Sequence, residues 1–266
     1  MNKKTIEILK GEKWWGGLID IAEKMPFDQT TEFFADIRHD TSYNQCNPLL
    51  ISDAGRYIWC EEYFALNISG GVIQIESPGE IVFKDGFGDL KSAYLDLSKN
   101  YFPFNGEIPK ELLFSKPQYC TWIALLYEQT EENILNYARS IIDAGYPAGE
   151  LIIDAGWQYD YGEWNFSNGK IKNPKKMVEE LKKMGFETIL WIVPYISPDS
   201  ATFRYAESKG YLQKNAEGES LIVHWWDGYS ASVDLSNPAA AEWFNGTLKD
   251  LIGQYGFAGF KFDGGD

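Results

Sequence analysis

The chain has 266 residues, 44% hydrophobic and 24% charged, a composition that argues against disorder and gives room for one large domain or two ordinary ones. A formal net charge of −15 speaks against nucleic acid and against an anionic membrane surface, because phosphate binding needs clustered Lys and Arg, whereas a neutral ligand such as a sugar is compatible. Cys46, Cys60 and Cys120 are too few and too scattered for a disulfide framework or a zinc pattern, and all three read as reduced core or near-core residues.

The N-terminus, MNKKTIEILKGEKWWGG, has lysines but no apolar segment of signal-peptide length, and no stretch approaches the ~18 apolar residues of a membrane span. A cytoplasmic location is the expectation. From about residue 30 to 117 the pattern is that of short strands. Arg56 to Ile68, Val72 to Glu76 and Glu80 to Lys84 are rich in β-branched and aromatic residues, and Gly70-Gly71, Pro78-Gly79 and Asp85-Gly86 punctuate them. An antiparallel β-sandwich over residues 1–117 follows.

The period changes near residue 118. Thr130 opens a helix with Glu131 and Glu132 in its first turn. Leu151 to Ile153 is an apolar run ending at Asp154. Asn173-Pro174 is a cap followed by proline, after which Met177, Val178, Leu181 and Met184 mark one helical face. Glu187 to Val193 predicts a buried strand. Asp199 or Ser200 starts another helix, Leu221 to Trp225 is a further apolar stretch, and Ser232 to Leu235 predicts a strand ending near Asp234. Asn237-Pro238 repeats the cap, and Gly259 to Phe262 is the last strand. Strands alternating with helices at this spacing imply parallel βα units. An open doubly wound sheet and a (β/α)8 barrel both fit. The absence of a Gly-rich phosphate turn counts against the former as a dinucleotide site. Carboxylates at successive strand ends (Asp154, Asp234, Asp263) are how barrel enzymes build a site. Residues 118–266 hold about four βα units, the first half of a barrel that needs roughly 250 residues when complete.

The final residues read Lys-Phe-Asp-Gly-Gly-Asp. Positions i and i+2 of a strand share a face, so Lys261 and Asp263 point the same way, and the lysine would hold Asp263 ionised. An ionised carboxylate is what attack on an anomeric carbon requires. The plainer reading is that Asp263 begins an Asp-Gly turn and pairs with Lys261. Asp160 and Glu163 read as solvated loop charges. Neither His39 nor His224 has a metal-ligand partner at useful spacing, and no metal or other cofactor is implied.

Four ordered blocks carry a resemblance. KPQYCTWIALLYEQTEENILNYARSIIDAGYPAGELIIDAGWQYDYGEWNF is similar to the start of the catalytic barrel of glycoside hydrolase family 31. Phe186 to Ser200 (FETILWIVPYISPDS), His224 to Phe244 (HWWDGYSASVDLSNPAAAEWF) and Gly259 to Asp266 (GFKFDGGD) continue it. The segment from Asn47 resembles the family's N-terminal sandwich less specifically, and the Trp-Trp-x-Gly block resembles its α-galactosidase-like branch. The resemblance implies an N-terminal β-sandwich followed by a truncated (β/α)8 barrel. It also implies retaining hydrolysis of a terminal α-linked sugar in a glycoside or oligosaccharide, with Asp263 as nucleophile. It places Asp154, Trp157, Trp191, Trp226, Asp227, Asp234 and Lys261 around the sugar. Trp191 inside its apolar strand could instead be core, and Asp234 could cap the following helix. Ala155 departs from the family, where many relatives carry a second acid directly after the first-strand Asp, which leaves the sugar open.

The family's acid/base comes from strands beyond Asp263, so the 266 residues alone are expected to be inactive on ordinary glycosides. Two other readings stand beside this one: a non-catalytic carbohydrate-binding protein, and one half of a split glycosidase that a second chain completes.

Overall fold

Alternating burial along short strands builds the first of two compact units, Met1–Glu107, in the computed structural model, which describes residues 1–38 and 46–264. Its strands are β1 (Asn2–Glu7), β2 (Trp14–Leu18), β3 (Phe33–Asp36), β4 (Cys46–Ser52), β5 (Tyr57–Cys60), β6 (Ala65–Ser69), β7 (Val72–Ser77) and β8 (Ile81–Lys84). They pair antiparallel into two sheets, ordered β1-β7-β6-β3 and β2-β4-β5-β8. Gly70 and Gly71, at φ 57° and 76°, make the two-residue β6–β7 turn, in which both positions need a left-handed backbone. Ile6, Ile68, Ile73 and Ile75 from one sheet and Trp14, Leu50 and Ile58 from the other share one core. Each such side chain contributes about 1.5–3 kcal/mol on burial. This is the expected sandwich, with two corrections to its local structure. Strands β1 and β2 precede residue 30, and Leu90–Tyr101, in the stretch read as strands, is a helix, α1. Asp89 caps it by accepting from the Ser92 N–H at 2.7 Å, and Ala93 and Leu97, four apart, bury on one face.

The second unit begins at Ile108 and contains α2 (Leu112–Ser115), β9 (Gln118–Cys120), α3 (Trp122–Leu125), α4 (Glu131–Asp143), β10 (Glu150–Ile153), α5 (Pro174–Lys183) and β11 (Glu187–Ile192). It continues through β12 (Tyr195–Ile196), α6 (Ala201–Lys209), β13 (Ile222–Trp225), β14 (Gly228–Ser232), α7 (Pro238–Tyr255) and β15 (Gly259–Phe262). Strands β9, β10, β11 and β15 form a parallel sheet in the order β15-β11-β10-β9. Helices α4, α5 and α7 pack their apolar stripes, including Ile134, Met177, Leu181 and Phe244, into one core with Leu151, Ile153, Leu190 and Ile192. Thr130 and Asn237 cap α4 and α7 as anticipated, whereas Asn173 makes no side-chain cap bond and Pro174 alone sets the first turn of α5. These are the parallel βα units that the expected first half of a (β/α)8 barrel calls for.

The segment expected as a barrel strand at Ser232–Leu235 is different. Strand β14 stops at Ser232 and pairs antiparallel with β12 and β13 in a separate small sheet built from the chain that connects β11 to β15. The two-residue Trp226-Asp227 turn reverses the chain there, so β14 runs back along β13 and does not join the parallel sheet.

Candidate active site

Strand register assembles the site. Ile153 aligns with Leu190 and Leu190 with Phe260, so the next positions, Asp154, Trp191 and Lys261, form a row across three neighbouring strands. Asp263 follows on the face of Lys261, its N–H bonded to the Ile192 carbonyl at 2.9 Å.

Lys261 reaches across the intervening strand. Its ammonium donates to Asp154 Oδ2 at 2.7 Å and stands 3.9 Å from Asp263 Oδ2. Sequence spacing had aimed the lysine at Asp263. Asp154 is the tighter partner because the long side chain spans the intervening strand along its own row, whereas the i+2 carboxylate sits one pleat further along the same strand. Burial alone would lower the Lys261 pKa, but the Asp154 bond and the nearby negative groups outweigh it and hold the ammonium above the ordinary lysine value.

Asp154 is fully engaged. Oδ2 also accepts from Cys120 Sγ at 2.9 Å, and Oδ1 accepts from the Ala155 N–H at 2.9 Å. Its own N–H donates to Thr121 Oγ1 at 3.0 Å, and that hydroxyl donates to the buried Gln129 amide oxygen at 2.7 Å. Burial, then the adjacent carboxylate, pushes the Cys120 thiol up, which keeps it a donor. The side chain of Asp154 is 4% exposed, against 38% for Asp263. Asp263 receives two weaker holds, from Trp191 Nε1 at 2.8 Å and from the Gly264 N–H at 3.1 Å. The second is an Asp-Gly turn. Gly264 has φ 64°, and a Cβ there would meet the Tyr195 ring at 3.0 Å and the Trp226 ring at 3.5 Å, so glycine is required. The turn and the positioned carboxylate therefore coexist at Asp263.

The β13–β14 turn presents Trp226, 58% exposed, and Asp227. The Tyr127 hydroxyl donates to Asp227 Oδ1 at 2.9 Å, and the Tyr161 hydroxyl makes a short bond to Oδ2. Burial first, and Asp227 second, raise the Tyr161 hydroxyl well above its usual range. The Tyr161 ring packs on Trp225 at 4.8 Å and on Trp191 at 5.9 Å, linking the turn to the wall beside Asp263.

Asp154, Trp191, Lys261 and Asp263 thus come together, with Trp226 and Asp227 tied in through Tyr161. Two anticipated residues do not join them. Trp157 is fully buried against Phe166, and its Nε1 donates to the Trp191 carbonyl at 2.9 Å, so it supports Trp191 from beneath and has no face to offer a sugar. An indole gains more from burial than from a rim position once its N–H has a partner. Asp234 accepts from Ser236 N–H and Oγ in the turn leading into α7, and among the described residues it exchanges no hydrogen bond with Asp154, Lys261 or Asp263. Cys120 and Thr121 were missed as site residues, although they end β9 just as Asp154 ends β10, and lining up strand ends would have flagged them. Tyr127 and Tyr161 lie 100 and 66 residues from Asp227, with no local pattern to reveal the contact.

Among the described residues no group of His, Cys, Asp and Glu could hold a metal ion, and no helix is long and apolar enough to cross a membrane. His224 lies against the Tyr229 ring at 4.7 Å, and His39 falls outside the described residues.

Residues 115–266 match the family model for the glycosyl hydrolases family 31 TIM-barrel domain. Myogenesis-regulating glycosidase of Mus musculus is 31% identical over 180 residues, 67% of this chain and 25% of the relative. An alpha-xylosidase of Lactiplantibacillus pentosus is 26% identical over 64% of this chain and 24% of its own length. A GH31 alpha-xylosidase from a soil metagenome, solved with xylose, superposes over 98% of this chain and 38% of its own at 18% identity, with a TM-score of 0.75. A xylosidase from Aspergillus niger gives 0.76 at 16% identity over 97% of this chain and 36% of its own. The chain spans about a quarter of the length of these curated relatives.

Proposed function

The chain belongs to glycosyl hydrolase family 31, and we propose that Asp263 is the nucleophile of a retaining α-glycosidase site that these residues build in part. One observation carries the assignment: of the two carboxylates at the ends of β10 and β15, Asp154 is sealed and engaged by three donors, while Asp263, held by two, keeps a side chain that is 38% exposed. In the reaction, Asp263 attacks the anomeric carbon while a second carboxylic acid, ~5–5.5 Å away, protonates the departing oxygen. Water then cleaves the glycosyl ester with net retention. Lys261 donates one hydrogen bond to Asp154 and stays partly exposed, which leaves a donor free for a sugar hydroxyl. Asp154 acts through that lysine. Trp191 orients Asp263, Trp226 offers an exposed ring for stacking, and Asp227 holds the Trp226 turn in place. The substrate is a glycoside or oligosaccharide with a terminal α-linked sugar.

Asp154, taken up as an acceptor, is no general acid, and general acid help is worth about 10² to 10⁴ in rate. Residues 1–266 by themselves should therefore turn over ordinary glycosides very slowly, yet react once with an aryl α-glycoside whose leaving group needs no proton. Mass spectrometry after incubation should find one glycosyl unit on the peptide bearing Asp263, and labelling should drop on the order of a thousandfold or more in Asp263→Asn. Rapid steady hydrolysis by these residues alone, or an adduct that survives Asp263→Asn, would refute the proposal. Equal sugar binding by wild type and variant with no adduct would refute it in favour of a carbohydrate-binding protein.

A further inference from the structure

Residues 125–128, between α3 and α4, make a β-turn closed by the Glu128 N–H to the Leu125 carbonyl at 2.8 Å, with Leu126 at φ 48° and ψ −125°. That is the first central position of a type II′ turn, which normally takes glycine. Among the described residues no other non-glycine has a positive φ. The Leu126 side chain is 52% exposed, so its packing returns little for the strain. Strain of this kind persists where the surrounding bonds over-determine the backbone, and it gathers at functional sites. We propose that Gln129 is a positioning residue of the sugar site, a role that rests on the reading of Asp263 as nucleophile.

The Gln129 side chain is fully buried and uses both ends of its amide. Nε2 donates to the strained Leu126 carbonyl at 2.7 Å, and Oε1 accepts from the Thr121 hydroxyl at 2.7 Å. That hydroxyl, itself buried, accepts from the Asp154 N–H at 3.0 Å. On the other side of the turn, the Tyr127 hydroxyl donates to Asp227 Oδ1 at 2.9 Å, beside Trp226. Lys170 donates to the Tyr127 and Gly156 carbonyls at 2.8 and 3.1 Å, which ties the turn to the loop after β10.

A brace that served only the α3–α4 connection would end at that connection. This one ends on the backbone of the carboxylate that grips Lys261 and, through Tyr127, on the carboxylate beside the exposed indole. An amide suits both ends, since it offers a donor and an acceptor together. A carboxylate would set two acceptors against each other at Leu126, and an apolar side chain would leave the Leu126 carbonyl and the Thr121 hydroxyl without this partner.

Labelling of Asp263 by the aryl α-glycoside, followed against glycoside concentration, gives a half-saturation concentration and a limiting rate. Gln129→Ala should raise the former and lower the latter, each about tenfold, as expected for a lost buried hydrogen bond. Adding Leu126→Gly, which holds the turn without strain, should bring the half-saturation concentration back to within about threefold of wild type and leave the rate low, because the Thr121 bond is still missing. Gln129→Glu keeps the Thr121 acceptor and regains the Leu126 donor only when protonated. Its half-saturation concentration, relative to wild type at the same pH, should therefore fall from about pH 9 to about pH 5, the range into which burial lifts a glutamate. Wild-type labelling by Gln129→Ala, no recovery with Leu126→Gly, or a flat Gln129→Glu ratio would overturn the proposal. The Asp154 amide and Trp226 indole resonances report the brace without chemistry at Asp263. Both should move in Gln129→Ala and only the indole in Tyr127→Phe, and unmoved resonances in Gln129→Ala would also overturn it. Both shifts in a chain whose wild type forms no adduct would sink the nucleophile and leave the brace standing.

Discussion

Glu12 in the sandwich and Asp154 in the barrel portion are both buried carboxylates held by a cation, yet they sit in opposite circumstances. Arg56 donates to Glu12 Oε1 at 2.7 Å and makes a second, shorter bond to Oε2, and the Leu9 N–H adds a third at 2.9 Å. The guanidinium lies over the Trp14 and Phe83 rings at 5.3 and 5.6 Å and is 11% exposed. That pair is closed on every side and braces the sheet. In the barrel portion the cation is 35% exposed and also faces a second carboxylate, Asp263, whose side chain is 38% exposed. Burial of an ion pair is thus no guide to chemistry. The proposed reaction at Asp263 asks instead for a partly exposed carboxylate beside a shared cation.

The largest effect that would sharpen this contrast is on the closed pair. Arg56→Ala leaves Glu12 buried without a counter-charge and should cost about 3–5 kcal/mol, read as faster amide exchange in β2 and β5, while the rate of adduct formation at Asp263 stays at the wild-type level. Lys261→Ala should cost less, about 2 kcal/mol, because Asp154 retains Cys120 and Ala155 as donors and water reaches the site. It should also slow adduct formation, and an unchanged rate would erase the distinction drawn here. The smallest effect is in pH dependence, and its direction differs between the pairs. Burial opposes ionisation of Glu12, but the Arg56 and backbone bonds win and depress its pKa. Its contribution is present above the unfolded value of about 4.3 and is lost as pH falls through the lower folded value. Lys261 is raised, so its contribution is intact below the unfolded value of about 10.4 and fades as pH rises through the folded one. Amide exchange at both extremes should show β2 loosening in acid and β15 in alkali, and the reverse order would contradict the assignments.

Much of this was legible in the chain. Strand-helix alternation after residue 118, the helix starts at Thr130 and Asn237, and the shared face of Lys261 and Asp263 all follow from local period and capping. Helix α1 was overlooked because strand-like neighbours masked its Ala93–Leu97 spacing. The resemblance places Trp157 and Asp234 around the sugar, with a structural role open for Asp234; Trp157 is buried here, and Asp234 is held by Ser236 in the turn before α7.

Local sequence determined the parallel strands, the helices that follow them and the carboxylates Asp154 and Asp263 at the strand ends, since period, caps and turn residues act over a few positions. Only the tertiary structure decided that Lys261 grips Asp154 across 107 residues, that Trp191 turns its N–H to Asp263, and that two distant tyrosines hold Asp227. Those choices depend on strand register and on which groups burial leaves without water, and neither quantity exists until the sheet has formed.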